Sequence, residues 1–145
     1  MGTHHVTTIY GTEFDEKNLI ANIYGQWDGY PSGHGKKIAK FLASKTMCNG
    51  LPGNKNDRAN YANGAGCLAA QLIAHLKESP GSIYMTHGDE STNHGQDFNY
   101  IIKADFNSIE IEVLSYGSLI FRGPPSELIE FCEQEEPEDG YLEIK

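Results

Sequence analysis

The sequence predicts an α+β protein with a mainly antiparallel sheet of about six strands, two central helices and a short C-terminal helix. Short segments rich in β-branched and aromatic residues stand at both ends of the chain, and two segments between them have apolar residues at helical spacing. The chain has 145 residues, the size of a single domain. We expect one ligand-binding domain at residues 1–134 and an acidic C-terminal tail at residues 135–145.

The first half of the chain predicts a hairpin followed by a helix. Val6–Tyr10 and Leu19–Trp27 both have strand composition, and the polar segment between them is typical of a turn. The segment Trp27–Gly35 combines aromatic, acidic and glycine residues, which indicates a structured loop. Lys36–Lys45 has apolar residues on one helical face and is predicted to be an amphipathic helix. The polar stretch Thr46–Gly64 is predicted to be a long loop.

The second half predicts a buried helix and the rest of the sheet. Ala65–Ser79 has a stripe of leucines and small residues on its other sides, so we expect a helix that packs closely on the sheet or on a second copy. Four strands are expected at Ser82–His87, Phe98–Phe106, Ile109–Ser115 and Leu119–Arg122. Pro124 and Pro125 precede a closing helix at Glu127–Gln134.

Charge and composition exclude several classes of protein. The net charge is −9, and residues 127–145 contain eight acids against one lysine. The chain has two arginines, so it lacks the basic stripe of a protein that binds duplex nucleic acid. Three widely spaced cysteines argue against a disulfide framework or a zinc site, and favour a cytoplasmic setting. No apolar run approaches the roughly 20 residues of a membrane span, so no membrane partner is expected.

The histidines do not form a recognisable catalytic or metal-binding motif. The sequence has no HxH, HExxH or CxxC spacing, and it has no Walker or dinucleotide-binding glycine motif. We therefore predict no catalytic residue, no metal and no cofactor. One alternative stays open, namely a small enzyme that degrades or modifies a nucleotide signal with His34, His87 or His94 as acid or base beside Asp28.

Aromatic and amide side chains at the ends of strands make a stronger group. Aromatic rings stack on nucleobases, Asn, Gln and Asp bind base edges and ribose hydroxyls, and arginine binds phosphate. This combination is typical of a site for a small nucleotide-like ligand. The other interpretation is structural, with the rings in the core, Asp28 in a turn and Arg122 as a surface charge. The candidate ligand-binding residues are Gln26, Trp27, Asp28, Tyr30, Arg58, Phe98, Asn99, Tyr100 and Arg122.

Three segments carry a resemblance to a known family. They are IYGQWDGYPSGHG, GAGCLAAQLIAHLK and LIFRGPPSELIEF. The first resembles the WDGYP segment of small phage and prophage proteins. Over residues 5–133, the chain resembles the phage Thoeris anti-defence sponge family, whose members sequester the cyclic ADP-ribose signal of a bacterial TIR-domain protein.

The resemblance implies a viral protein in the host cytoplasm that binds glyco-cyclic ADP-ribose without cleaving it. It also implies a homo-oligomer with pockets where protomers meet, and some family members hold cyclic oligonucleotides of the CBASS type. The family's pocket uses an aromatic ring on adenine, with arginine and asparagine around phosphates and riboses. By residue type, the matches here are Phe98 or Trp27, Asn99, and Arg122 or Arg58, with help from lysines such as Lys36.

The leading expectation is therefore a non-enzymatic protein that captures a cyclic nucleotide signal. It requires rings such as Trp27 and Phe98 and an arginine such as Arg122 to meet around one cavity. A further alternative is an acidic protein-interaction module in which the tail binds a basic partner.

Overall fold

The fold is α+β, as the sequence predicts. The computed structural model describes residues 2–50 and 55–134; the predicted tail at 135–145 lies outside these residues. The strands are β1 (His5–Gly11), β2 (Asn18–Gly25), β3 (Thr46–Cys48), β4 (Tyr61–Asn63), β5 (Ile83–Met85), β6 (Phe98–Ala104), β7 (Ile109–Ser115) and β8 (Ser118–Gly123). The helices are α1 (Lys36–Ala43), α2 (Gly64–Leu76) and α3 (Pro125–Gln134). No helix among the described residues is long and apolar enough to span a bilayer.

The main sheet has six strands in the order β5-β2-β1-β6-β7-β8. The expected hairpin is present, because β1 pairs with β2 in antiparallel fashion. The central pair, β1 and β6, is parallel, which makes the sheet mixed. In this register His5 lies between Gly25 on one neighbouring strand and Phe98 on the other. The ends of these strands position the candidate site.

Alternation along the strands separates two faces of the sheet. Ile9, Ile23 and Ile102 belong to one core cluster with residues of all three helices. The opposite face of β1, β2 and β6 is covered by the loop at residues 86–97. Tyr10 donates a hydrogen bond to the Glu90 carboxylate at 2.6 Å over this face.

Helix α2 shows how local sequence and a distant residue combine. Its leucine stripe is buried, as the periodicity predicts, while its outer side at Ala70 and Ala74 is exposed. The first turn lacks an acid of its own, and the Glu13 carboxylate accepts the Ala65 backbone N–H at 2.6 Å. A carboxylate at this end also complements the helix dipole.

Several boundaries differ from the sequence-based expectation. Strand β5 has three residues, because the backbone of Ser82 takes a positive φ of 70° just before it and the ladder ends at Thr86, whose N–H donates to the Asn22 carbonyl of β2 at 2.9 Å. The expected loop Thr46–Gly64 contains a small parallel sheet of β3 and β4. The turn between β6 and β7 spans four residues, because the Asp105 carboxylate accepts backbone N–H groups inside it.

Candidate functional site

The glycine-rich segment after β2 is fixed tightly against the ends of β1 and β6. The Gly29 N–H donates to the Thr3 carbonyl at 2.9 Å, and the Tyr100 hydroxyl donates to the Gly29 carbonyl at 2.6 Å. A Cβ at Gly29 would lie 2.8 Å from the Thr3 oxygen, so only glycine fits this crossing. Asp28 takes a φ of 57°, and its carbonyl accepts the His34 N–H at 2.7 Å. The segment is therefore ordered, as the sequence indicates, but its second part, Pro31–Gly35, is a π-helical turn that continues into α1 and not a loop.

Two histidines stack under this loop. The rings of His5 and His34 have centroids 3.8 Å apart and planes inclined by 24°. Thr7 Oγ1 and His34 Nε2 form a buried hydrogen bond of 2.7 Å. The His5 ring fits because its partner on β2 is a glycine: a Cβ at Gly25 would lie 2.0 Å from His5 Nε2. The pair is thus held by packing from both sides.

Burial keeps both rings neutral at pH 7. It lowers the pKa of His5 from 6.5 to about 4, against the effect of a hydrogen bond with the Trp27 backbone. Burial also lowers the pKa of His34 well below its ordinary value, and the nearby His5 and Lys37 act in the same direction. His5 Nδ1 is buried and has no hydrogen-bond partner.

These imidazoles line a cavity of about 270 Å³. Leu76 and Ile83 form an apolar wall, while Asp28 and Lys37 bring one charge of each sign. The Trp27 indole also lines it and is 54% exposed. The complete lining is His5, Trp27, Asp28, Gly33, His34, Lys37, Leu76, Ser82 and Ile83.

Four of the sequence-predicted ligand-binding residues belong to this region. Trp27 and Asp28 line the cavity directly. Gln26 borders it, since its Oε1 accepts the backbone N–H of the lining residue Ser82 at 3.2 Å. The Tyr30 hydroxyl donates to the Asp28 carboxylate at 3.2 Å.

The run Phe98, Asn99 and Tyr100 does not act as one group, because neighbouring strand residues point to opposite faces. Phe98 and Tyr100 are buried in the core on the helix side. Asn99 points to the other face, where it donates to the Glu90 carbonyl at 3.2 Å. None of the three is among the cavity's described lining residues.

The two arginines also lie outside the described cavity lining. Arg122 pairs with the Glu112 carboxylate across β7 and β8 at 2.8 Å. Arg58 is exposed on a 3-10 turn at Lys55–Asn60. Within one protomer, therefore, Trp27, Phe98 and Arg122 do not share this cavity, contrary to the expected arrangement.

The structure adds three polar side chains that sequence reasoning missed, namely His5, Lys37 and Ser82. A signal for His5 exists, since it precedes Thr7 and Ile9 on the same face of β1. Recognising it requires the register that places Gly25 opposite, and the sequence does not reveal that register.

The histidines of the open enzyme alternative are divided between two places. His34 lines the cavity with Asp28. His87 and His94 lie in the loop over the other sheet face, where His94 Nε2 donates to the His87 carbonyl at 3.0 Å. Among the described residues, no group of three or more His, Cys, Asp or Glu side chains could hold a metal ion.

A second cavity, of about 400 Å³, lies between the end of α1, the β6–β7 turn and the start of α3. Its lining includes Lys45, whose Nζ donates to the Ala59 carbonyl at 2.5 Å. No sequence-predicted site residue lines it. The smaller cavity at Trp27 is therefore the better candidate for a ligand site.

Comparisons of the chain with protein-family models, curated proteins and solved structures give no match.

Proposed function

We propose that this protein binds and sequesters a small nucleotide-like ligand in the cavity at Trp27, without cleaving it. The observation that carries the proposal is a half-exposed indole on a cavity that also has an apolar wall and buried imidazoles. An indole left in solvent loses the burial that normally stabilises it, whereas a stacked base contributes roughly 1–3 kcal/mol. The resemblance stated above supplies the ligand class, a cyclic ADP-ribose signal.

The lining suits a base and its sugar. The Trp27 ring offers a stacking surface, and the Asp28 carboxylate accepts hydrogen bonds from ribose hydroxyls. Lys37 supplies a cation in the lining. A single cation is little for a ligand with two phosphates, so a second group of positive charge has to come from elsewhere in the assembly.

The cavity volume also supports a site that is shared between protomers. Pockets that enclose a whole drug-sized ligand have roughly 300–1,000 Å³, and this cavity has about 270 Å³. One protomer would enclose part of the ligand, and a second copy would cover the rest. We therefore propose a homo-oligomer that acts in the host cytoplasm, in which Arg58 or Arg122 of a neighbouring protomer supplies the further positive charge, while Asn99 stays buried in its own protomer.

Capture without turnover fits the state of the imidazoles. A general base works best with a pKa near the working pH, and the pKa of His5 is about 4. Burial lowers the pKa of His34 in the same direction. Rings this weakly basic are better suited to hydrogen bonding than to removing a proton at pH 7.

The chain has one tryptophan, Trp27, so intrinsic fluorescence reports directly on the cavity. We expect glyco-cyclic ADP-ribose, cyclic ADP-ribose or ADP-ribose to quench this fluorescence in a saturable titration. After heat denaturation, chromatography of the supernatant should recover the ligand intact and in stoichiometric amount. A hydrolysed or linearised product would instead favour the enzyme alternative.

Two matched variants test the role of the ring. Trp27→Phe keeps an aromatic surface, whereas Trp27→Ala removes it, so affinity measured by calorimetry should fall further in the second. The loss for Trp27→Ala should be about tenfold or more, given the energy of one stacked base. Equal affinity in wild type and Trp27→Ala would contradict the proposed site.

A further inference from the structure

His5 combines features that a purely structural residue does not need. Its exposed fraction is 1%, it lines the cavity, and its Nδ1 atom has no hydrogen-bond partner. The other buried side-chain atom without a partner, among the described residues, is Ser32 Oγ, which does not line the cavity. An unmade hydrogen bond at a buried polar atom destabilises a protein by about 1–3 kcal/mol. Such an atom, in a residue that lines a cavity, is satisfied when the occupant brings a partner to it.

The free nitrogen is an acceptor. A hydrogen bond with the Trp27 backbone favours the protonated form of the His5 ring, so the ring is the donor and the backbone carbonyl the acceptor. We assign the donating proton to Nε2, since Nδ1 is the nitrogen without a partner. A neutral imidazole with its proton on Nε2 has a lone pair on Nδ1. The occupant must therefore present an N–H or O–H group.

Neighbouring groups keep the ring in this state. His34 stacks on one side at 3.8 Å between centroids, and Gly25 leaves room for the Nε2 edge. Burial disfavours the protonated form of this ring, and His4 acts in the same direction. The ring is thus held in one orientation by its packing.

We infer that His5 is a specificity-determining residue of the proposed site, whose Nδ1 accepts a hydrogen bond from a neutral donor group of the ligand. This inference rests on the proposed function. Two groups of an adenine nucleotide carry that chemistry, the exocyclic amine of the base and a ribose hydroxyl. Less than 1 Å² of Nδ1 is exposed without ligand, so the contact forms with a local rearrangement of the cavity wall.

The matched pair His5→Asn and His5→Leu tests the inference. Asn and Leu have the same branched shape and both remove the imidazole stack, but only Asn keeps an acceptor. The probes are ADP-ribose, its hypoxanthine analogue without the amine, and its 2′-deoxy analogue. Trp27 fluorescence measures affinity, and circular dichroism and thermal melting verify that each variant is folded.

We expect ADP-ribose to bind His5→Asn about tenfold more tightly than His5→Leu, the ordinary effect of one hydrogen bond at a buried site. If the amine is the donor, this difference disappears with the hypoxanthine analogue. If the hydroxyl is the donor, it disappears with the 2′-deoxy analogue. Either result supports the inference and identifies the group.

Equal affinity of the two variants for ADP-ribose overturns the role of His5 while leaving the proposed function in place. Failure of the wild-type protein to bind any of the three probes overturns both. If neither variant folds, nitrogen NMR of the wild-type ring decides: the Nδ1 resonance shifts upfield when the atom accepts a hydrogen bond, and an unchanged resonance on saturation with ADP-ribose overturns the inference.

Discussion

Acidification from pH 7 to pH 5 should destabilise the protein through its buried imidazoles. The pKa of His5 is 6.5 in an unfolded chain and about 4 in the fold. Between these values the unfolded state binds the additional proton, so the free energy of unfolding falls as the pH falls. At pH 5 the pH is about 1.5 units below the pKa of the unfolded ring, whereas the folded ring stays neutral. This difference lowers the free energy of unfolding by about 2 kcal/mol. The pKa of His34 is also lowered by burial, so this ring makes the dependence of stability on pH steeper.

The range from pH 7 to pH 5 separates the effect of histidine titration from that of carboxylate titration. Hydrogen bonds with Ser91 lower the pKa of Asp89, and a backbone hydrogen bond with Asn107 lowers that of Asp105. Carboxylates whose pKa lies below the usual range near 4 stay ionised from pH 7 to pH 5, and the stability they contribute is lost only at lower pH. The change between pH 7 and pH 5 therefore reports mainly on imidazoles.

Urea unfolding at pH 5, 6 and 7, followed by circular dichroism at one protein concentration, measures the effect. The variant His5→Leu should lose about 2 kcal/mol of the pH-dependent change, since the titrating ring is gone. His75→Asn is the matched control, because His75 is exposed and stacks on Phe41, and this variant should keep the wild-type slope. A wild-type stability that is level across the window, or an unaltered slope in His5→Leu, would refute the buried neutral pair.

Two further predictions concern glycine and arginine positions. Gly25→Ala should lower the melting temperature and weaken ligand binding, because its Cβ would lie 2.0 Å from the packed His5 ring, at a cost of about 1–3 kcal/mol. Gly66→Ala is its control: nothing lies within 4 Å of a Cβ there, so this helical substitution should stabilise by about 0.5–1 kcal/mol in the same melting experiment. Arg122→Ala should change the free energy of urea unfolding by less than about 1 kcal/mol, because its ion pair with Glu112 is partly exposed; a larger loss would show that this pair is a structural element.

Local patterns were sufficient for the long strands and helices, missed the short strands β3 and β4, and were insufficient for strand pairing. The alternation of Ile109, Ile111 and Val113 with acids predicts a strand with one buried face, and β7 has that form. The leucine stripe predicts α2 in the same way. A period of two fixes the face of a residue but not the neighbouring strand. The parallel pairing of β1 with β6, about 90 residues apart in sequence, thus has no local signal.

The same distinction explains the candidate site. The density of unusual residues between Trp27 and Gly35 marks the segment, and four of its residues line the cavity, namely Trp27, Asp28, Gly33 and His34. Alternation within β6 separates Asn99 from Phe98 and Tyr100, and this division follows from sequence once the strand is accepted. His5 was not predictable, because its importance depends on Gly25 in the adjacent strand and on His34 in the loop.

The arrangement of glycines and histidines argues for binding rather than for stability alone. A pair of leucines in place of His5 and His34 would fill a similar space without a desolvated polar ring or an orphaned nitrogen. The chain instead has glycine at the position opposite His5 and glycine where the loop crosses β1, and both positions exclude a Cβ. Glycines at these positions increase the entropy of the unfolded chain and so reduce stability. These imidazoles lower stability below pH 6.5 and require glycine neighbours. A role in ligand binding explains why they are present despite this cost. The pair His5→Asn and His5→Leu measures the contribution of His5 to ligand affinity directly.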